Sequence, residues 1–401
     1  MEVLHINHSS IVVESLGGTR ILVDPWLISP AFGSWIPDPH TTADLGSSLI
    51  ATSDFHATAI SHAHDDHLDE FFIRHHQNNR PILVPDIRSG SLSRRLKGLT
   101  ESDVVLVGES GVQIGDLKIQ AIGNPNFTTD DSLLIFSDST GVVIHANDNW
   151  RIYDELLLSK ISLAIADVDR NNIWFLVQFG IADAFPWFYP NISDRVCDEL
   201  IAERFGDYGK NISKNLELLG LTNCYTYANQ SRYDELPFRA GLSIKSIRES
   251  FLEKYKFVFS QLSPNSRIVS GLGLVGPPSS TEKTKSFFEH LLSKLAAHAS
   301  GYVHDKIGGD YELVFALSGQ EIPEIEGSSS MVVFSATARV WSEILTGKQT
   351  IEAITIGGSG LVYRSLSRNI SDLQKTLTPW GYSTQARLST EGWSWLCESP
   401  I

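Results

Sequence analysis

The 401-residue sequence is short of cysteine, of positive charge and of long apolar runs. Its three cysteines, Cys197, Cys224 and Cys397, lie far apart and form no C-x-x-C or C-x-H pair. That excludes a disulfide framework and a thiolate metal site. Lys and Arg number 32 against 47 Asp and Glu, a formal charge of −15. Attraction to a phosphate backbone is therefore lacking, no basic run restores it, and nucleic acid is not the expected partner. No apolar stretch approaches the roughly 20 residues a membrane helix needs. The first eight residues have no positive flank, the first basic residue being Arg20, so no leader is read and the expectation is a soluble, cytoplasmic protein. With 42% hydrophobic and 20% charged residues, the chain is ordinary for a globular protein and long enough for two domains or one large one. No internal repeat or low-complexity tract is present.

The patterning is that of a layered α/β protein. Ser10–Glu14 and Thr19–Val23 are β-rich and flank Leu16-Gly17-Gly18, which reads as a hairpin. Further strand-like runs are Ala57–Ile60, Pro81–Val84, Val104–Val107, Leu117–Ile122, Ser132–Phe136, Gly141–Ile144 and Ile161–Val168. Helical patterns cover Leu68–His76, Arg195–Phe205 and Ile244–Phe259. Strands dominate early and helices later, so packed sheets with outer helices are expected. Gly276-Pro277-Pro278-Ser279-Ser280, within Gly271–Lys285, marks a linker. Beyond it Phe287, Leu291 and Leu295 recur every four residues in an amphipathic helix. Strands at Tyr311–Leu317 and Ser330–Ser335, a helix around Ala336–Leu345 and a Gly-rich turn near Gly357–Gly360 follow. The linker divides the chain into residues 1–270 and a small α+β domain over 281–401.

Chemistry concentrates in one stretch. Six of the 13 histidines fall between His56 and His76, and among them Ser61-His62-Ala63-His64-Asp65-Asp66-His67 matches H-x-H-x-D-H. On a loop after a strand, His62 and His64 point the same way because extended chain alternates with period two. Asp66 and His67 then turn into the next helix and face a second point nearby. Three imidazoles and one carboxylate within six residues suit Zn²⁺ or Fe²⁺ better than Mg²⁺ or Ca²⁺, as one ion or two. The alternative is a solvated, turn-rich polar loop.

This pattern resembles the metallo-β-lactamase superfamily. Asn7-His8-Ser9-Ser10-Ile11-Val12-Val13-Glu14 and Arg20-Ile21-Leu22-Val23-Asp24-Pro25-Trp26 look like the opening hairpin of its lactonase-like and phospholipase-D-like branch. Gly141-Val142-Val143-Ile144-His145-Ala146-Asn147-Asp148-Asn149 looks like the strand whose last aspartate bridges two metals. The resemblance implies an α/β fold, an αβ/βα metallo-β-lactamase-type sandwich over about the first 270 residues, with metals at its rim. It also implies His62, His64, Asp66, His67 and Asp148 as ligands, and Asp24 as a carboxylate that orients a histidine ring. His8 lines the mouth of the site or serves a turn. His145, ending a buried strand, reads as a core residue.

Two departures stand out. The family supplies another histidine before the Asp148 strand, where this chain has Gly123-Asn124-Pro125-Asn126-Phe127-Thr128-Thr129-Asp130-Asp131. It supplies a last one well after Asp148, and none occurs between His145 and His290. Asn124 and Asn126 thus stand near the site, and Asp130, Asp131 or Asp183 are carboxylates able to substitute, which would favour a harder ion such as iron. The same departures, with Gln178-Phe179-Gly180-Ile181-Ala182-Asp183-Ala184-Phe185-Pro186-Trp187-Phe188-Tyr189, resemble the CMP-N-acetylneuraminate hydroxylase-like branch. Those proteins carry a Rieske centre, which needs paired Cys and His ligands; this chain has no such pair. Trp187 and its aromatic neighbours either wall a pocket or belong to the core.

In the tail, Phe334-Ser335-Ala336-Thr337-Ala338-Arg339-Val340-Trp341-Ser342-Glu343-Ile344-Leu345-Thr346-Gly347-Lys348 is similar to a segment of sterol-carrier-protein-like domains. That likeness implies an apolar groove for an acyl chain or a cap on the pocket; a structural or dimerisation module, and with it a homo-oligomer, is the alternative.

The leading expectation is a metal-dependent hydrolase. Bound metals would lower the pKa of a water toward about 7 and supply hydroxide for attack on a small ester, lactone, amide or phosphodiester, with Asp66 orienting that water. The competing expectations are a non-haem diiron oxygenase or hydroxylase served by a separate electron donor, and a binding protein with a degenerate site.

Overall fold

The computed structural model describes residues 1–27, 55–77, 79–87, 90–123, 131–149, 155–180, 193–228, 242–262, 266–270, 287–307, 311–317, 330–355 and 371–392, with residues 29, 31, 35–37, 152, 231–233, 273–275 and 360–364. The chain opens with antiparallel strands β1 (Glu2–Asn7), β2 (Ser10–Glu14) and β3 (Arg20–Val23). After β4 (Trp35–Pro37) come β5 (Ala57–Ala59), helix α1 (Glu70–His76), β6 (Ile82–Pro85), helix α2 (Ser91–Lys97) and β7 (Val104–Val107). A second meander follows, made of β8 (Val112–Ile114), β9 (Leu117–Gly123), β10 (Ser132–Ser137) and β11 (Val142–Asn147). Helix α3 (Glu155–Ala164), β12 (Ile173–Gln178), helix α4 (Asp194–Leu219), β13 (Cys224–Tyr227), β14 (Ser231–Tyr233), helix α5 (Leu242–Lys254) and β15 (Ser260–Gln261) complete that half. Strands β16 (Arg267–Val269) and β17 (Gly273–Val275) return to the first sheet.

Among the described residues the first sheet has the order β17-β16-β1-β2-β3-β5-β6-β7 and the second β15-β13-β12-β11-β10-β9-β8. Each joins an antiparallel meander to a parallel run: β3-β5-β6-β7 in the first, β11-β12-β13-β15 in the second. Period-two alternation sorts the side chains into layers. Val3, Ile11, Val13, Ile21, Val23 and Leu83 meet Leu134, Phe136, Val143, Trp174 and Leu176 between the sheets. Their alternates on the second sheet, Ile135, Ile144, Phe175 and Val177, face outward and pack with Leu157, Ile161, Ile201 and Phe205 of α3 and α4. Those on the first sheet, Leu4, Val12, Leu22 and Val84, pack with Phe72 of α1 and Leu92 and Leu96 of α2. Each such fully buried aliphatic or Phe side chain contributes about 1.5–3 kcal/mol. The result is an αβ/βα sandwich, two sheets face to face with helices on both outer sides.

A smaller C-terminal α/β region follows. Helix α6 (Phe287–Ile307), β18 (Glu312–Leu317), β19 (Met331–Ala336), helices α7 (Ala338–Leu345) and α8 (Glu352–Thr355), β20 (Gly360–Arg364) and helix α9 (Ser371–Glu391) build it around a sheet of order β18-β19-β20. Trp341 stacks on Phe315 at 4.7 Å and donates its indole N–H to Ala316 O, while Trp380 donates to His298 Nδ1. This core is continuous with the outer cluster beneath α1 and α2.

Ile161–Val168, expected as a strand, is instead the end of α3 and the turn after it. The strand belonging there is β12, buried throughout. The linker at 276–280 lies outside the described residues. None of the described helices is long and apolar enough to cross a membrane.

Candidate metal centre

The motif residues gather at one rim of the sandwich, where strands run out. His8 turns between β1 and β2, Asp24 follows β3, Ser61–His67 follow β5, and Asn147 ends β11. His8, Asp24 and Asn147 take positive φ (35°, 45° and 55°), as does Ala228 (57°) just after β13. Non-glycine residues adopt this region rarely, and such outliers cluster where function over-determines the backbone.

Asp24 is the hub. It is fully buried, accepts Ser61 N on Oδ1 at 2.7 Å, and on Oδ2 accepts Ser61 Oγ (2.7 Å), Asn147 Nδ2 (3.1 Å) and His67 Nδ1 (3.1 Å). The Ser61 hydroxyl proton thus goes to Asp24, and its oxygen accepts Asn147 Nδ2 at 2.6 Å and His62 Nδ1 at 2.9 Å. Proton accounting assigns the tautomers from this network: both His62 and His67 carry hydrogen on Nδ1 and present Nε2.

Three sets of ligand-type atoms lie within 4.8 Å of one another: His62, His64 and Asp131; His62, His67 and Asp148; and His8, Asp66 and His67. Asp148 Oδ2 is 3.6 Å from His62 Nε2 and its Oδ1 3.8 Å from His67 Nε2. His8 Nε2 lies 3.2 Å from Asp66 Oδ2, and His62 Nε2 lies 2.9 Å from His64 Nδ1. Two imidazole nitrogens that close need a proton or a cation between them. Asp66 Oδ1 and Asp148 Oδ1 are buried without a hydrogen-bond partner among the described residues, and His67 Nε2 meets the Asp66 carboxylate at 3.5 Å and that of Asp148 at 3.8 Å. Imidazole nitrogens and orphaned carboxylate atoms converging in this way fit a divalent transition-metal ion.

The electrostatics point the same way. Burial, with the His67 and His64 charges, holds His62 well below the ordinary histidine range, so its lone pair is available. Burial would lower His67 too, but the Asp66 charge and its hydrogen bonds with Asp24 and Asp66 outweigh it and hold His67 well above that range. Burial would raise Asp66, yet the same His67 contact and the bonds with His67 and His8 hold it well below the carboxylate range. Burial pushes Asp148 up to about 7, opposed by His67 and reinforced by Asp66, Asp131 and Asp24. Crowded carboxylates that raise one another's pKa mark a place where positive charge is wanted.

The structure therefore brings together His8, Asp24, His62, His64, Asp66, His67 and Asp148, and it places Asp131, one of the carboxylates able to substitute, in the cluster, while Asp130 lies outside the described residues. Asn124, Asn126, Asp183 and Trp187 lie outside the described residues. Ser61 and Asn147 were not singled out as functional by sequence; each adjoins a motif residue, and only the hydrogen bonds reveal what it does. His145 faces the core between the sheets, 3.8 Å from Asp24 and lowered to about 4 by burial.

No protein-family model matches the chain. Over 158 residues it is 31% identical to a Mycolicibacterium smegmatis protein named as a Rieske 2Fe–2S iron–sulfur protein, a match covering 37% of this chain and 30% of that one. A similarly named Mycobacterium tuberculosis protein is 27% identical over 180 residues, 40% of this chain and 32% of that one. The chain thus spans about a third of the length of these curated relatives. Among solved structures, isothiocyanate hydrolase from Delia radicum gut bacteria is similar with a TM-score of 0.42 at 15% identity, over 67% of this chain and 98% of that one. The diiron β-hydroxylase CmlA from Streptomyces venezuelae gives 0.42 at 18% identity, over 66% and 53%.

Proposed function

We propose that the chain is a metal-dependent enzyme of the metallo-β-lactamase superfamily with a dinuclear centre, acting as a hydrolase on a small ester, lactone, amide or phosphodiester. The observation that carries this reading is Asp148, whose two oxygens face His62 on one side and His67 on the other. His62, His64 and Asp131 would hold one ion, His8, Asp66 and His67 the second, and Asp148 would bridge them. Zn²⁺ or Fe²⁺ in such a place lowers the pKa of a bound water toward about 7 and polarises the bond under attack. The chain's own groups do the rest. Asp66 keeps Oδ1 for a hydrogen bond that orients the attacking water, and Asp24 and Ser61 lock the two imidazoles with Nε2 forward. His64→Ala or Asp66→Ala is expected to abolish turnover of a chromogenic ester while leaving circular dichroism unchanged; full turnover in either variant refutes the assignment.

A second reading, a diiron oxygenase or hydroxylase, draws on Asp131 and on the relatives named for Rieske centres. Two histidines and one carboxylate, as at His62, His64 and Asp131, are a donor set that suits non-haem iron. Lacking paired Cys and His ligands of its own, the chain would take electrons from a separate protein or from its substrate. Iron-loaded protein with a ligand-to-metal absorption band and oxygen uptake would decide for it; colourless, zinc-loaded protein that hydrolyses the ester would decide against it. A degenerate binding protein would retain no stoichiometric metal. The buried free thiols of Cys197 and Cys224 support a reducing, cytoplasmic setting. For the C-terminal region, over 281–401, a sterol-carrier-like domain remains the reading, and the continuity of its core with the cluster beneath α1 and α2 supports a role as a cap beside the motif loop.

A further inference from the structure

We propose that Arg95 is a positioning residue that sets the metal-binding loop from its solvent side. This rests on the reading of His62, His64 and Asp66 as ligands. The inner face of the loop is held at its ends, by Asp24 on Ser61 and His67 and by Ser9 Oγ donating to Asp66 O at 3.0 Å. Its middle is held from α2. Arg95 Nη1 donates to Ala63 O at 2.6 Å, Nη2 to Asp65 Oδ1 at 2.8 Å and Nε to Glu70 Oε1 at 2.7 Å. Ala63 is the residue between His62 and His64, so its carbonyl direction sets the peptide plane from which the His64 ring projects. Asp65 adjoins Asp66 in the chain. Glu70 opens α1, whose N-terminus Asp69 caps by accepting Phe71 N and Phe72 N. One guanidinium therefore ties the residues on both sides of His64 to a rigid helix end.

The Arg95 side chain is 31% exposed and those of Asp65 and Glu70 41% and 44%. Ion pairs this wet contribute little to stability, so what the three bonds add is direction. Only a planar fork with several donors spans these acceptors, and a lysine reaches one of them. Arg95, Asp65 and Glu70 line an open cavity of about 310 Å³ together with Thr346, Lys348 and Ser389 of the C-terminal region. The clamp thus stands where the loop meets the C-terminal region.

The test is the Zn²⁺ affinity of the full chain, read by competition with a chromophoric chelator, for wild type, Arg95→Ala, Arg95→Lys and His64→Ala. Arg95→Ala is expected to bind Zn²⁺ about 10- to 100-fold more weakly, as for other residues that orient a ligand. Arg95→Lys should recover only part of the loss, and the visible band of the Co²⁺-loaded variants should shift. Thermal unfolding of the stripped protein should hardly change. Wild-type affinity in Arg95→Ala, with His64→Ala defective, overturns the clamp alone. A stripped Arg95→Ala protein whose melting point collapses in step with its affinity marks a merely structural residue and also overturns it. No Zn²⁺ uptake by wild type, or full uptake by His64→Ala, overturns the centre and the clamp with it. Should Arg95→Ala not fold, undiminished affinity in Arg95→Lys overturns the proposal.

Discussion

Asp24 accepts four hydrogen bonds on two buried oxygens, and three of them reach side chains from β11 and the motif loop. Asn is nearly isosteric and tolerates the left-handed backbone found at this position (φ 45°). Asp24→Asn should therefore keep the backbone path but set an amide N–H where an oxygen now accepts, facing Ser61 N–H, and leave His67 Nδ1–H with a neutral acceptor. Zinc affinity is expected to fall about 10- to 100-fold, measured by chelator competition; unchanged affinity would show that His67 needs no such partner. At this scale the sequence was readable where function depends on spacing. His62, His64, Asp66 and His67 stand in one short motif and Asp148 at a strand end, all visible in the chain itself. Asp131 was readable only as one of three acids, because its approach to His62 and His64 is a tertiary contact between the start of β10 and the motif loop. Ser61 and Asn147 act through hydrogen bonds made at 37 and 123 residues' distance from Asp24, which no local pattern carries.

Among the elements, the hairpin of β2 and β3 is pinned from outside. The exposed carboxylate of Asp116 accepts Ser15 Oγ, Thr19 Oγ1 and Gly17 N, and these hydroxyls bring it down to about 2. A depressed acid contributes stability above its unfolded value near 3.8 and loses it as the pH falls through about 2. Wild type should thus be more stable than Asp116→Asn at pH 5, and the gap should close between pH 4 and pH 2 in acid unfolding curves. Gly347, after α7, has φ +69°, and a Cβ there would lie 2.7 Å from Ser389 N and 2.9 Å from Gln385 O of α9. Gly347→Ala should destabilise the protein by about 1–3 kcal/mol, read by denaturant unfolding, while metal content stays as in wild type. The misread segment belongs at this scale too. Ile161–Val168 is apolar enough for a strand, yet its β-branched residues, Ile161, Ile165 and Val168, stand at helical spacing, and α3 uses Ile161 for the outer layer. The central parallel strand β12 reads Ile-Trp-Phe-Leu-Val-Gln, apolar on both faces, where alternation gives no signal.

For the whole molecule, layering does the positioning. Two sheets, each with parallel strands ending at the same rim, bring loops from β1, β3, β5, β11 and β13 to one place, and the chain's organisation into sheets with outer helices was legible from its strand and helix series. The pairing of one sheet with the other was not, since it is settled by side chains far apart in sequence. In the proposed centre, metal uptake is linked to protons. His67 is held well above the usual histidine value, so its proton must leave before Nε2 can bind an ion. The rise in melting temperature on adding Zn²⁺ should therefore grow from pH 6 to pH 8, checked by thermal unfolding in matched buffers; a pH-independent shift would place the ion elsewhere. The most direct measurement is elemental analysis of the purified chain after equilibrium dialysis against Zn²⁺ or Fe²⁺, beside Asp148→Ala. The account predicts two ions per chain in wild type and at most one in the variant; a chain that retains none, or a variant that retains two, contradicts it.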